Sequence, residues 1–176
     1  MELPSVHSFF PKLHQCKEDK SLLTAQNLHF HAHFYGLDSS DAISNHFIPL
    51  FLQCGSISEA HRAFSRLAHR NEYSWTSIIH GYIHHGRFDE AFSIFHDMQE
   101  DGVCPNIYTY PGLLKGCSKT RSTWKGQAIH TEIIKYGLEN DGFVGNSLVD
   151  MYAKCGLILE SQYVFDRLNY PDSVSW

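Results

Sequence analysis

The 176-residue sequence lacks several features that mark familiar classes of protein. It has no uninterrupted apolar run of about 18 residues, so no transmembrane helix and no membrane partner are expected. Its first residues have neither a basic region nor an apolar core, and they are not rich in arginine and serine, so neither a secretory signal nor a transit peptide is evident. The five cysteines are widely spaced without a CxxC pair, which argues against a disulfide framework and a four-cysteine zinc site.

The common catalytic and phosphate-binding motifs are absent too. There is no GxSxG, GxxxxGK[ST] or HExxH. His130-Thr131-Glu132 has the HxE form of zinc deaminases, but no PCxxC follows, so packing within a helix is the favoured interpretation. Two pairs of histidines have the i, i+4 spacing of one helix face, without a third ligand nearby: His29 with His33, and His80 with His84. We therefore expect no catalytic residue, no metal and no cofactor, and a protein that is not an enzyme.

What is present is a balanced, slightly acidic composition. Hydrophobic residues make up 43% and charged residues 19%, so a folded chain is expected rather than a disordered one. The formal net charge of -5 argues against a binder that holds nucleic acid by charge alone.

The chain also repeats itself. Residues 4–75 align without a gap on residues 105–176, so that Cys16 falls on Cys117 and His29 on His130. Further matches include Asn45 with Asn146, Cys54-Gly55 with Cys155-Gly156, and Ser74-Trp75 with Ser175-Trp176. We call the two segments the first and second copy. A conserved spacing of this kind is typical of repeat proteins, and it favours a packing role for the paired cysteines.

Glycines divide each copy into helical hairpins. Gly55, Gly86 and Gly156 follow apolar-periodic runs and precede others, as a glycine at a helix C-cap does. In the middle of the chain, Ser74 is predicted to cap a helix through Ile83, and a second helix is predicted from about 88 to 100. Pro49 is expected to kink or shorten its helix, because proline lacks an amide hydrogen.

Five such hairpins fit the chain, and none can bury its apolar face alone. The sequence therefore predicts an all-α protein, a right-handed alpha-solenoid of about five stacked helix-turn-helix hairpins. Spacing alone leaves the tetratricopeptide class as a competitor. The expected repeats are residues 6–40, 41–71, 72–106, 107–141 and 142–172, and residues 173–176 begin a repeat that is cut off.

The hairpins resemble the repeats of plant pentatricopeptide repeat (PPR) proteins. Residues 147–156, SLVDMYAKCG, are similar to the first helix of short-type repeats. Residues 72–106 resemble the standard 35-residue repeat, with WTSII, GRFDEA and GVCPN, and LLKGCS with IHTEIIK resembles the long type. The order long, short, standard, long, short is similar to the PLS subfamily, apparently truncated.

This resemblance implies single-stranded RNA as the partner, read at about one base per repeat by the fifth and last residues. The implied pairs are Thr76 with Asn106 for adenine, Asn146 with Asp172 for uracil, and Asn45 with Asn71 for pyrimidines. Weaker readout is implied for the long-type pairs Phe10 with Ser40 and Pro111 with Asp141. The second residues Tyr73, Tyr108 and Phe143 are implied to stack on bases.

Several alternatives stay open at this point. Asn45, Thr76, Asn146, Asn106, Asp141 and Asp172 could be helix-capping residues, and the three aromatic residues could be packing. The resemblance implies organellar RNA modification, such as C-to-U editing, or transcript maturation, in a mitochondrion or chloroplast. The chain would act as an adaptor, with organellar editing factors or a separate deaminase as further partners. A protein-interaction scaffold of the tetratricopeptide type and a non-functional fragment are the rival interpretations.

Overall fold

A computed structural model describes residues 6–37 and 41–168, which fold into α-helices and contain no β-strand. The helices are α1 Val6–Asp19, α2 Leu22–Phe34, α3 Asp41–Gln53, α4 Ile57–Ser65, α5 Glu72–His84, α6 Phe88–Glu100, α7 Thr109–Thr120, α8 Thr123–Lys135, α9 Gly142–Lys154 and α10 Ile158–Arg167. The all-α prediction is confirmed. The helices fall two to each predicted repeat.

The turns inside three repeats follow from their glycines. Gly55, Gly86 and Gly156 have φ angles of +76°, +74° and +81°, a left-handed conformation that strains any side chain with a Cβ. Each glycine follows the first helix of its repeat, and its amide donates back to a carbonyl in the last turn of that helix. Each glycine lies just past the end of its helix, where the sequence predicted a helix-ending glycine.

Two compact units make up the chain, Met1–Gly81 and Tyr82–Trp176. In the N-terminal unit, α3 is the most deeply buried helix, with Ile43, Phe47 and Phe51 fully inaccessible. In the C-terminal unit, Tyr110 and Leu113 of α7 and Leu148 of α9 are equally buried. Burial of one apolar face on each first helix is the main force that holds the pairs together.

The cysteines of these cores are packing residues. Cys16 and Cys117, which are equivalent in the two copies, are fully buried, whereas Cys104 is exposed. Burial raises the pKa of the Cys117 thiol to about 12, so this sulfur stays protonated at neutral pH. All five cysteines are free thiols in the structure.

The structure corrects two predictions about helix ends. Ser74 does not cap α5, because the helix begins earlier, at Glu72, and the side chain of Asn71 accepts the amide of Ser74 at 3.0 Å. Pro49 was expected to kink or shorten α3. The helix is not shortened, since it has 13 residues, as α5 and α9 do, and the kink stays a prediction. The fully buried residues around Pro49, including Ile48 and Leu50, hold the helix together despite the missing hydrogen bond.

Candidate nucleic-acid interface

The predicted base-stacking residues lie in matching places. Tyr73, Tyr108 and Phe143 are each the second residue of a predicted repeat, at or just before the first turn of α5, α7 and α9. Their side chains are 52%, 59% and 57% exposed, although aromatic residues are usually buried. The alternative that they are core packing is therefore not supported. A flat ring held at a helix start is able to stack on a planar ligand.

The last residues of the predicted repeats cap the helices that follow them. Asn71 accepts the amide of Ser74, and the hydroxyl of Ser74 donates back to the Asn71 carbonyl at 2.8 Å. Asp141 accepts the amides of Phe143 and Val144, both at 3.0 Å. These bonds satisfy amides at the start of each helix that have no partner within it.

Asn106 does the same for α7 in more detail. Its Oδ1 atom accepts the amides of Tyr108 and Thr109 at 3.0 and 3.2 Å, and the Thr109 hydroxyl is 3.2 Å from the same atom. The amide of Asn106 donates to the Thr109 hydroxyl at 3.3 Å. This reciprocal pair of hydrogen bonds fixes the orientation of the Asn106 side-chain amide. Because the Oδ1 atom faces the start of α7, the NH₂ group is directed away from that helix start.

Sequence reasoning missed the supporting hydroxyls. Ser74 and Thr109 are completely buried, and each stands three residues after a capping asparagine. The spacing N-x-x-[ST] at the start of an apolar-periodic run was the signal that could have found them. The Ser74 hydroxyl bonds to the main-chain carbonyl of Asn71, and the Thr109 hydroxyl bonds to the amide and the side chain of Asn106.

The fifth residues of the repeats are not caps. Asn45, Thr76 and Asn146 lie inside α3, α5 and α9, more than one turn from the helix starts. The capping interpretation is therefore wrong for these three residues. It is correct for Asn106 and Asp141, because their Oδ1 atoms accept amides at the start of the next helix. Thr76 and Asn146 are half-buried. Asn45 is buried, and among the described residues nothing bonds to its Oδ1 atom.

The predicted weaker pairs are placed differently. Phe10 is 38% exposed and meets the His46 ring edge-on, with centroids 5.6 Å apart. Pro111 is buried in the first turn of α7, where proline removes no helical hydrogen bond. Ser40 and Asp172 lie outside the described residues, so their pairs with Phe10 and Asn146 stay predictions.

Charge is divided between the two kinds of helix. The first helices of the repeats carry five acidic and five basic residues, and the second helices carry eight acidic and four basic. Four of the acidic residues lie on α6 alone: Asp89, Glu90, Asp97 and Glu100. The helices that bear the predicted RNA-reading residues are thus neutral, although the whole chain is acidic.

The HxE triplet is part of the packing, as its sequence context indicated. The Nδ1 atom of His130 lies 2.8 Å from the Tyr152 hydroxyl, and Glu132 accepts the Gln99 side chain at 3.2 Å. Burial lowers the pKa of His130. In the described part of the chain no group of three or more histidine, cysteine or acidic side chains is arranged to hold a metal ion. The helices described there include none that is long and apolar enough to span a membrane.

Sequence comparison identifies relatives of the chain. A family model described as the PPR repeat family matches residues 70–119, and one described as PPR repeat matches residues 146–169. A pentatricopeptide repeat-containing protein of Arabidopsis thaliana, named as chloroplastic, is 39% identical over 144 residues, 81% of this chain and 27% of the relative. Another from the same plant, named as mitochondrial, is 32% identical over 149 residues, 85% of this chain and 14% of the relative. The chain thus spans about a quarter or less of these relatives.

Solved structures show the same fold. The PPR domain of Arabidopsis thaliana protein-only RNase P 1, in complex with tRNA, superposes with a TM-score of 0.74 at 16% identity, over 94% of this chain and 91% of that one. The pentatricopeptide repeat protein PPR10 from maize gives a TM-score of 0.72 at 19% identity, over 98% of this chain and 26% of that one. The predicted array of PPR helix pairs is confirmed at the level of the fold, and the PLS order stays a prediction.

Proposed function

Because this chain carries the repeats of the pentatricopeptide repeat family, we propose that it binds single-stranded RNA through the starts of its first helices. The observation that carries the proposal is a repeated geometry. Around the start of α5 and of α7, an asparagine cap is followed two residues later by an exposed tyrosine. The same spacing recurs at α9 with Asp141 and Phe143.

This geometry suits recognition of one base at a time. The exposed ring offers a stacking surface that accepts any base, worth roughly 1–3 kcal/mol per base. The side chains of Asn106 and Asp141 each accept two or more hydrogen bonds from the start of the next helix, so the directions of their remaining polar atoms are restricted. The Asn71 side chain accepts one such bond. A base edge that does not complement them leaves a buried polar group unpaired, at about 1–3 kcal/mol.

Base preference is assigned by pairing the fifth residue with the last. Thr76 with Asn106 selects adenine, Asn146 with Asp172 selects uracil, and Asn45 with Asn71 selects pyrimidines. The two long-type repeats contribute little selectivity, because Phe10 and Pro111 have no side-chain hydrogen-bond donor. Related structures support RNA as the ligand class, since PPR10 has been crystallised with an 18-nt psaJ RNA element.

The RNA is proposed to be an organellar transcript. Relatives of the chain are named as chloroplastic or mitochondrial. Within a PLS-type protein the array would select the site for C-to-U editing or transcript maturation. In this proposal the chain acts as an adaptor, and a separate deaminase or editing factors carry out the chemical step.

Fluorescence anisotropy with short RNAs tests the proposal. One RNA carries the order any–pyrimidine–adenine–any–uracil, and a second has guanine in place of the adenine and the uracil. We expect the first RNA to bind about tenfold or more tightly. The double variant Thr76→Ala/Asn146→Ala is expected to lose that preference. The matched control Gln127→Ala, at an exposed position of α8, is expected to keep it.

The contrary outcomes are distinct. Equal binding of both RNAs that disappears as salt is raised would mean electrostatic contact only. An absence of binding by a protein with a helical circular dichroism spectrum would remove RNA recognition by this chain alone. In that case the protein-interaction scaffold would become the leading function.

A further inference from the structure

The second helix of the first repeat, α2, has an exposed apolar face. Leu23, Phe30 and Phe34 are 68%, 65% and 71% exposed, and the two phenylalanine rings lie nearly parallel with centroids 6.5 Å apart. Their spacing of seven and four residues places them on one line along the helix. We call these three residues the α2 stripe. The opposite face of α2 is buried through Ala25, Leu28 and Ala32, so the stripe faces away from the core.

The second copy shows that this face is not required to be apolar. At the places of Phe30 and Phe34, helix α8 has Thr131 and Lys135, both exposed. Only the first position remains apolar in both copies, as Leu23 and Trp124. The fold is therefore satisfied by polar residues at these two positions, and the phenylalanines of α2 need another explanation.

A neighbouring repeat would not cover the stripe. In the C-terminal unit α6 lies beside α8, and it contacts α8 through Lys125 and Glu132. The equivalent residues of α2 are Thr24 and His31. Thr131, Lys135 and Trp124 stay exposed even though α6 is present. By the same geometry a helix packed in front of α2 would reach Thr24 and His31 and leave the stripe open.

The surface next to the stripe is basic. Gln26 of α2 donates to Glu59 of α4 at 3.0 Å, which places the outer faces of the two helices side by side. We call Arg62 of α4 and its C-cap residue Arg66 the basic face of α4; both are exposed, as are the nearby His61 and His69. Glu59 is the one acidic residue in α2 and α4, and its carboxylate is engaged by Gln26 and, at 3.3 Å, by Arg62. A partner would thus meet an apolar line with arginines along one side.

We propose that the α2 stripe and the basic face of α4 form a docking surface for a short amphipathic helix of a partner protein, with apolar residues on one face and carboxylates along one edge. The apolar residues of the partner pack against Leu23, Phe30 and Phe34, and its carboxylates pair with Arg62 and Arg66. The three stripe side chains expose only roughly 300–400 Å², well below the ~800 Å² per partner of a stable dimer, so a second copy is not the occupant.

The test uses the full chain and three labelled synthetic helical peptides. The first has a leucine stripe with glutamates along one edge, the second has the same stripe with lysines, and the third has the leucines and polar residues of the first shuffled. We expect the glutamate peptide to bind, and the other two to bind about tenfold or more weakly. The variant Phe30→Thr/Phe34→Lys, which copies α8, is expected to weaken glutamate-peptide binding by about tenfold or more.

The matched control is Trp124→Leu, which copies Leu23 into the second copy and is expected to leave peptide binding unchanged. All positions are exposed, and circular dichroism checks that every variant folds. Equal peptide binding by the Phe30→Thr/Phe34→Lys variant and the parent chain would overturn the proposal. So would concentration-dependent dimerisation that this variant abolishes, because the stripe would then bind a second copy. A loss of RNA binding with unchanged peptide binding would make the stripe a nucleic-acid contact instead.

Discussion

Helices α3 and α9 occupy equivalent places in the two copies, but their polar residues have different surroundings. Asn45 in α3 is buried with an unpartnered Oδ1 atom, whereas its equivalent Asn146 in α9 is half-buried and engaged. Four residues later α3 has Pro49, which lacks the amide that would bond the Asn45 carbonyl, and α9 has Asp150, which pairs with Lys154 at 2.7 Å. The same repeat position therefore presents a hydrogen-bonding group at a different energetic cost in each copy.

Substitution of the residue four positions after the asparagine, Pro49 or Asp150, should change the free energy of unfolding the most. Asp150→Pro removes the amide that bonds the Asn146 carbonyl in α9, so we expect a loss of about 3 kcal/mol in unfolding free energy. Pro49→Asp restores an amide donor in α3 and should stabilise the chain by a smaller amount. Urea denaturation followed by circular dichroism measures both changes. If Asp150→Pro is tolerated without loss, the helix does not depend on this hydrogen bond.

Substituting each of the two asparagines separately should change the free energy of unfolding in different directions. Asn45→Ala takes away a buried acceptor that has no partner, so stability is expected to stay level or rise. Asn146→Ala breaks existing interactions and is expected to cost about 1 kcal/mol. The two free energies of unfolding should therefore differ by about 1–2 kcal/mol, measured by urea denaturation. Equal losses would show that Asn45 has a partner in solution.

The histidines of the two copies provide a comparison by pH. His29 packs against the rings of Phe47 and Phe51, with centroids 4.6 and 5.4 Å apart. Its equivalent His130 bonds to the Tyr152 hydroxyl. Burial lowers the pKa of His130, and nearby Arg167 lowers it further while Glu139 opposes the shift. The folded chain therefore binds fewer protons at this site than the unfolded chain does.

Stability should consequently fall as the pH is lowered through about 6.5, the pKa of an unperturbed histidine, towards the lower value in the folded chain. Substituting His130→Gln removes this titration, and we expect the unfolding free energy to depend less steeply on pH between neutral and mildly acidic conditions. Urea denaturation at a series of pH values measures it. The half-buried His46 contributes in the same direction, since partial burial lowers its pKa too, so some dependence remains. An unchanged slope would assign the effect to other groups.

The smallest effect belongs to the ion pair that only the second copy has. Asp150 and Lys154 are both half-exposed or more, and the first copy has Pro49 and Gln53 in their places. Asp150→Ala is expected to lower the unfolding free energy by about 0.3–0.5 kcal/mol at low salt. At high salt the ion pair is screened, so the difference should disappear. This variant also serves as the control for Asp150→Pro. A cost near that of the proline variant would assign the proline effect to the lost charge.

These comparisons show what local sequence could and could not predict. The glycine spacing and apolar periodicity correctly indicated α6 and the turns at Gly55, Gly86 and Gly156, because each depends on residues within a few positions. The start of α5 was misplaced, since serine and asparagine both cap helices well and only the folded chain decides between them. The tolerance of α3 for Pro49 depends on packing by distant residues, which no local pattern reports.

The candidate site was predictable only in part for a similar reason. Register with the repeats located Tyr73, Tyr108 and Phe143, and the structure finds them exposed. Capping of the next helix by Asn106 and Asp141 was one open alternative, because residue type alone does not decide whether a polar side chain caps a helix or contacts a ligand. The α2 stripe is a further case, since apolar residues at helical spacing ordinarily predict burial.

The capping bonds also have a consequence for engineering. The last residue of a repeat bonds to the start of the next helix, so a substitution there changes the stability of the following repeat. Under the proposed base readout, recoding a base at this position would therefore change that stability as well. Asparagine and aspartate both cap helices well. Residues that cap poorly would destabilise the following repeat, whichever base they favoured. The requirement for a helix cap thus restricts which amino acids can occupy the last position of a repeat. A repeat that is transferred to another array should be cut after the first turn of the following helix, so that the capping residue stays with the helix that it caps.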